Sequence, residues 1–299
     1  MAERTAVVPQ IRGEKARKRS IGLWEDALRR LVRNRLAMFG AFVLAVIVIM
    51  AAFGSSLTPY DPNGMDFSAR FAPPSLVHPF GTDDFGRDIL ARIIAGTRVS
   101  LLVGVVAVGL AATIGTTLGL LAGYGSRILD EVIMRAMDVL YAFPAILLAL
   151  AIMAALGRGV TNAMIAIGIV YIPIFARITR GAVLVVRGEE FITAARTLGA
   201  SHFRILFQHI LPNVMAPVIV ETSLSLAFAI LAEASLSFFG LGTQPPDPSW
   251  GRMLSEGRSF FRQSIWLAIF PGLAIMVTVM GFNFLGDGLR DSLDPRQRR

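Results

Sequence analysis

The 299-residue chain has no cysteine, which excludes structural disulfides, thiolate metal sites and a cysteine nucleophile. It has two lysines, Lys15 and Lys18, and neither precedes Ser or Thr. It therefore holds no Gly-Lys-Ser/Thr phosphate loop and does not bind ATP in that way. His78, His202 and His209 all lie outside the long apolar runs, with no matching Ser and Asp constellation. No catalytic residue is assigned on that pattern. Charge is scarce as well, at 17% of residues.

What remains is apolar. Hydrophobic residues make up 54% of the chain and the mean hydropathy is +0.62, too much to hide in one soluble core. A helix needs about 20 apolar residues to cross about 30 Å of hydrocarbon. Leu36 to Thr58, Val99 to Tyr124, Val139 to Gly157, Thr161 to Ala176, Val214 to Gly240 and Ser264 to Gly286 are the uncharged or nearly uncharged runs. They lack the alternation of a membrane-barrel wall, so the expected fold is all-α, a polytopic membrane protein with six transmembrane helices. Pro144, Pro173, Pro217 and Pro271 fall inside these runs, where a missing donor and a ring clash kink a helix. The expected organisation is a tail (1–35), a first span (36–58), an extracytoplasmic loop (59–98), a core (99–289) interrupted by a polar loop (181–213), and a second tail (290–299).

The net charge of +8 is explained by topology rather than by nucleic acid, because the basic residues flank the apolar runs. Twenty-one Lys and Arg fall on the side holding both tails and the polar loop, against eight on the other. Both termini are therefore expected in the cytoplasm. About 35 residues precede the first apolar run, so that run reads as a retained anchor rather than a cleaved signal. Residues 1–19 read as disordered. From Ser20 to Arg35, Ile21, Trp24, Leu28, Leu31 and Val32 fall near one helical face and Arg29, Arg30 and Arg33 on the others. That pattern suits an interfacial helix on anionic membrane lipid, with a plain basic flank as the alternative.

Prolines make the first half of 59–98 an irregular loop. The run Gly81-Thr82-Asp83-Asp84-Phe85-Gly86-Arg87-Asp88 reads as a tight turn capping the next helix, and no metal is assigned to it. Glu221 and Glu233 are the charges well inside a run. Buried carboxylates in a membrane face a bundle interior or a watery cavity. Their 12-residue separation corresponds to a rotation of about 120°, so they share no single face. Glu221 stands one turn from Ser225 and Glu233 one turn from Ser237. These stripes can line a pathway, meet a second subunit, or hydrogen-bond within the bundle.

The most informative stretch is the polar interruption. Between Gly181 and Pro212, Phe191, Ala194, Ala195 and Leu198, then Phe203, Leu206, Phe207 and Ile210, recur at helical spacing, and Gly199 breaks the pattern. A helix, a glycine turn and a second helix form an elbow whose tip at Gly199 and Ala200 can be approached closely by another protein. The segment Thr193-Ala194-Ala195-Arg196-Thr197-Leu198-Gly199, followed by Ile210-Leu211-Pro212, resembles the cytoplasmic loop signature of ATP-binding cassette importer permeases, E-A-A-x-x-x-G, nine residues, then I-x-L-P. Thr193 stands where the signature has Glu, and His209 where it has Ile.

Further pieces, Gly81 to Asp88, Pro245-Pro246-Asp247-Pro248-Ser249-Trp250-Gly251 and Gly286 to Pro295, resemble the C-type permease of the dipeptide, oligopeptide and nickel group in that order. The resemblance covers about residues 25 to 295. It implies the type I importer permease fold in a bacterial inner membrane. It also implies pairing with a second homologous permease, two ATPase subunits docked on the cytoplasmic face, and an extracytoplasmic binding protein that delivers peptides, glutathione, opines or nickel. By the same resemblance the chain carries no cofactor, since ATP and Mg are bound by the ATPase subunits. Thr193, Ala194, Ala195, Gly199, Ala200, Ser201, Arg204, Leu211 and Pro212 are then the docking and coupling residues. Trp250 is read as a tryptophan in a turn-rich loop at the membrane interface.

Overall fold

The computed structural model describes residues 23–293, and the side chains of residues 23–26 and of Ser55 are outside that description. Residues 1–19, expected to be disordered, and the end of the 290–299 tail lie outside the described residues. The described residues are helical, with one isolated bridge between Thr82 and Asp88 and no strand. The order is α1 (Leu23–Arg33), α2 (Arg35–Leu57), α3 (Ile89–Tyr124), α4 (Arg127–Tyr141), α5 (Ala145–Leu156), α6 (Val160–Val186), α7 (Glu190–Thr197), α8 (His202–Arg204), α9 (Leu211–Phe238), α10 (Trp250–Ser259) and α11 (Trp266–Leu293). Five helical stretches are long and apolar enough to cross a membrane: Arg35–Gly54, Ile89–Tyr124, Val160–Val186, His202–Phe238 and Trp266–Leu293.

The sixth crossing is a broken one. The run expected as a single kinked span over Val139 to Gly157 is instead the end of α4 and the whole of α5, bent by 90°. Pro144, expected inside a span, is the cap of α5 at the break, where its missing N–H costs no helical bond. Packing shows why the pair must traverse. A Cβ on Gly115 would meet Ile172 O, one on Gly119 would meet Ala176 O, and one on Gly123 would meet Val183. Residue numbers rise together on both helices, so α3 and α6 run parallel, and α4 and α5 carry the chain back between them. These three glycines, spaced by four, let the two backbones approach closely, as small residues do in membrane helix pairs. Phe175, Ala176, Ile167, Ala107 and Ala111 are fully buried along the same seam.

Helix α11 runs antiparallel to α2, since Gly40 lies against Gly281 and Gly288 against Ala37. Both ends of the described chain therefore lie at the end of the bundle where α3 and α6 finish and α9 begins, the end that carries α7 and α8. Helix α1 packs Ala27 inward and leaves Leu28 and Val32 about 60% exposed, and Asn34 Oδ1 caps α2 by accepting from the N–H groups of Leu36 and Ala37. Pro173, Pro217 and Pro271 lie within α6, α9 and α11.

Candidate functional site

At the bundle end that carries α7 and α8, the predicted elbow is present. Helix α7 stops at Thr197, Gly199 takes φ +80°, and Ser201 Oγ accepts from Arg204 N–H (3.3 Å) to start α8. A π-helical stretch, Ile205–Ile210, joins α8 to α9, so Leu211 and Pro212 lie at the first turn of α9. Helix α6 runs on to Val186, and this shortens the expected polar loop. Arg177 Nη2 donates to Asp138 (2.7 Å), and Arg180 makes a two-point pair with Asp130 (2.5 and 2.7 Å). These two pairs tie the end of α6 to α4.

The elbow has a buried root and an exposed crown. Ile192, Ile205 and Ile210 are buried against Leu120, Val183 and Val214 at the ends of α3, α6 and α9. Tyr124 Oη lies 2.9 Å from His202 Nδ1, and Arg187 Nη1 donates to Gly123 O at 2.7 Å. Thr193, Ala194, Gly199, Ser201, Arg204 and Pro212 are exposed, and Ala195, Ala200 and Leu211 are half-buried. Leu198 is 87% and Phe203 72% exposed, with the Phe203 and Phe207 rings 4.4 Å apart. The elbow thus presents an exposed apolar tip on an anchored base.

The intramembrane carboxylates separate. Glu233, 1% exposed, accepts from Ser100 Oγ (2.9 Å) and Ser237 Oγ (2.7 Å), while Ser237 Oγ also accepts from Thr243 N–H. It thus ties α3 to α9 inside the bundle, as a buried charge must when no water reaches it. Glu221 is half-buried, accepts from Ser225 Oγ (3.0 Å), and lines an open groove of about 530 Å³ between α6, α9 and α11.

The opposite end holds a cluster that sequence reading missed. Arg87 Nε donates to Asp83 (2.6 Å), Arg92 stands 3.6 Å from both Asp83 and Glu256, and Arg252 pairs with Glu256 at 2.9 Å. Arg92, in the stretch 59–98 expected to be extracytoplasmic, is 1% exposed and sits in the first turn of α3, which begins at Ile89. Asp88 caps that helix by accepting from Ala91 N–H (2.7 Å), as the acidic turn predicts. Burial, with the neighbouring Asp83 charge, pushes the Asp84 carboxyl above its ordinary value. Trp250 is fully buried rather than interfacial. Its Nε1–H donates to Ile93 O at 3.1 Å, because Gly251 lets α10 press onto Ala234 of α9. A polar terminus on a buried ring needs such a partner.

Comparison with known proteins agrees with this architecture. Residues 115–299 match the binding-protein-dependent transport system inner membrane component family, and residues 22–74 match the N-terminal TM domain of oligopeptide transport permease C. The dipeptide transport system permease protein DppC of Alkalihalophilus pseudofirmus is 48% identical over 93% of this chain and 92% of its own. The glutathione transport system permease protein GsiD of Pectobacterium atrosepticum is 45% identical over 97% and 96%. Among solved structures, an inward-facing MetNI methionine ABC transporter chain superposes with a TM-score of 0.56 at 16% identity, covering 67% of this chain and 94% of that one, which shows a shared fold. The chain thus belongs to the family of binding-protein-dependent transport system inner membrane components, a multi-pass permease of the ATP-binding cassette importers.

Proposed function

We propose that this permease forms, with a second homologous permease, the pathway for di- or oligopeptides across a bacterial inner membrane. Hydrolysis of ATP with Mg on two separate ATPase subunits drives it, and an extracytoplasmic binding protein supplies substrate. The elbow end and both termini face the cytoplasm in this reading, in accord with the basic residues gathered there. The observation that carries it is the elbow, whose exposed crown of Leu198, Phe203 and Phe207 stands on a root buried against α3, α6 and α9. A partner that grips the crown moves the root, and the root moves three crossings.

Thr193, Ala194, Ala195, Gly199, Ala200, Ser201 and Arg204 supply the docking surface, with Leu211 and Pro212 setting where α9 leaves it. The π-helical stretch between elbow and α9 is a weaker ladder than an α-helix, and it lets the elbow tilt without breaking α9. Closure of the ATPase pair around ATP would rock the crossings from inward-facing to outward-facing, a rigid-body shift between two packed states.

The test is Phe203→Glu in the tagged chain. The reading expects membrane insertion to be unchanged and ATPase subunits to be lost on purification in mild detergent. Unchanged recovery of the ATPase would refute docking at the crown. Glutathione is a second reading for the substrate, favoured by the 45% identity to a glutathione permease.

A further inference from the structure

The groove beside Glu221 carries two opposite charges that do not meet. It is lined by Ile178, Pro217, Val220, Glu221, Leu224 and Arg290, among others, so its wall is apolar apart from a few groups. The register of α9 against α11 brings the two charges to one level. Ser223 Oγ donates to Phe282 O at 3.3 Å, and a Cβ on Gly286 would meet Leu224. Continuing along this antiparallel pair sets Glu221 opposite residues 284–289, and Arg290 lines the same groove. Among the described residues neither Glu221 nor Arg290 has an ion-pair partner within 4 Å, and they do not pair with each other. The hydrogen bond found at Glu221 is the one from Ser225.

An ionised group on an apolar membrane helix is costly and is kept where it meets water or a ligand. An unpaired acid and an unpaired base facing one cavity are complementary to a ligand with both charges. Tyr171 lines a second cavity of about 320 Å³, with Ile167, Phe228 and Ser235. The two cavities follow one another along α6 and α9.

We infer that Glu221 and Arg290 form a two-point site for the charged ends of a short zwitterionic peptide. The Glu221 carboxylate takes the α-ammonium group, and the Arg290 guanidinium takes a carboxylate. The inference rests on the peptide or glutathione reading of the substrate, since both compounds carry a free α-ammonium and a free carboxylate. Charge-assisted hydrogen bonds are the stronger class, and the apolar wall lowers the local dielectric around them. The site is selective for charge at both ends and indifferent to the side chains between them.

The natural absence of cysteine makes a direct test possible in the whole importer reconstituted in liposomes. The readouts are binding-protein-stimulated ATPase and ATP-dependent uptake of radiolabelled alanyl-alanine or glutathione, whichever the wild-type complex carries. Glu221→Gln and Arg290→Gln are each expected to keep the stimulated ATPase and to lower uptake per ATP about tenfold. Glu221→Cys is expected to transport poorly. Sulfonatoethyl methanethiosulfonate, which restores a negative charge, then raises its uptake, and aminoethyl methanethiosulfonate lowers it further. Excess substrate slows both labelling reactions, and the wild-type complex treated alike controls for thiols on other subunits. Uptake by the Gln variants at the wild-type level, equal effects of the two reagents, or labelling that substrate does not slow would overturn the site. A loss of stimulated ATPase in Glu221→Gln would instead make Glu221 a permease contact, which also overturns it. A wild-type complex that hydrolyses ATP yet carries neither compound would defeat the substrate reading underneath.

Discussion

At the residue scale, the most stringent arrangement is the charged cluster away from the elbow, where Asp83, Arg87 and Arg92 are each 5% exposed or less. Removing one partner of a buried pair leaves an uncompensated charge and costs about 3–5 kcal/mol. Asp83→Asn is therefore expected to lower the thermal midpoint of the detergent-purified protein sharply, and an unchanged midpoint would show that the cluster is solvated. Asp84 behaves oppositely. Its ionised form is disfavoured by burial and by Asp83, so its folded pKa lies above the ordinary 3.8. A folded state that binds the proton more tightly than the unfolded state loses stability as pH rises through the raised value, and regains it as pH falls toward 3.8. Asp84→Asn is expected to raise the midpoint at pH 7 and to remove that part of its slope in mildly acidic solution. A slope identical to wild type would contradict the assignment.

The element scale separates what was legible in the sequence from what was not. The long apolar runs became α2, α3, α6, α9 and α11 because about 20 such residues have few alternatives in a bilayer. The elbow was legible from Gly199, since few other residues tolerate φ near +80°. Three features were not. The Asp88 cap marked the start of α3, but nothing in the hydropathy placed Arg92 in ion pairs with Asp83 and Glu256. Trp250 reads as interfacial until Gly251 is seen to bring α10 against α9. The broken crossing at Pro144 is set by tertiary packing, because the parallel run of α3 and α6 requires a return between them.

Gly115, Gly119 and Gly123, spaced by four along the α3–α6 seam, make a prediction at this scale. A Cβ on Gly119 would stand 2.5 Å from Ala176 O. Gly119→Leu must therefore push α3 and α6 apart, and it is expected to abolish accumulation of the folded protein in membranes. Gly199 gives the contrasting case, since a Cβ there would meet no atom within 4 Å. Gly199→Val strains the turn by about 1–2 kcal/mol, and the protein is expected to insert normally. Loss of transport in that variant would therefore come from a contact outside this chain, and normal transport would remove Gly199 from the docking surface.

At the scale of the whole molecule, six crossings bring both described ends and the elbow to one face, and the charged cluster and α10 to the other. The apolar crown and the ion-pair cluster are thereby separated by the thickness of the bundle. One face offers an anchored apolar crown, and the other a rigid platform braced by ion pairs. Between them, α6 and α9 line two open cavities.

The central claim is that this chain acts only as part of an ATP-driven assembly. The direct measurement is purification of the tagged chain in mild detergent, with identification of co-purifying proteins and an ATPase assay with and without the binding protein. The account predicts a second permease, two ATPase subunits and hydrolysis stimulated by the loaded binding protein. A homogeneous single-chain species without ATPase activity would contradict it.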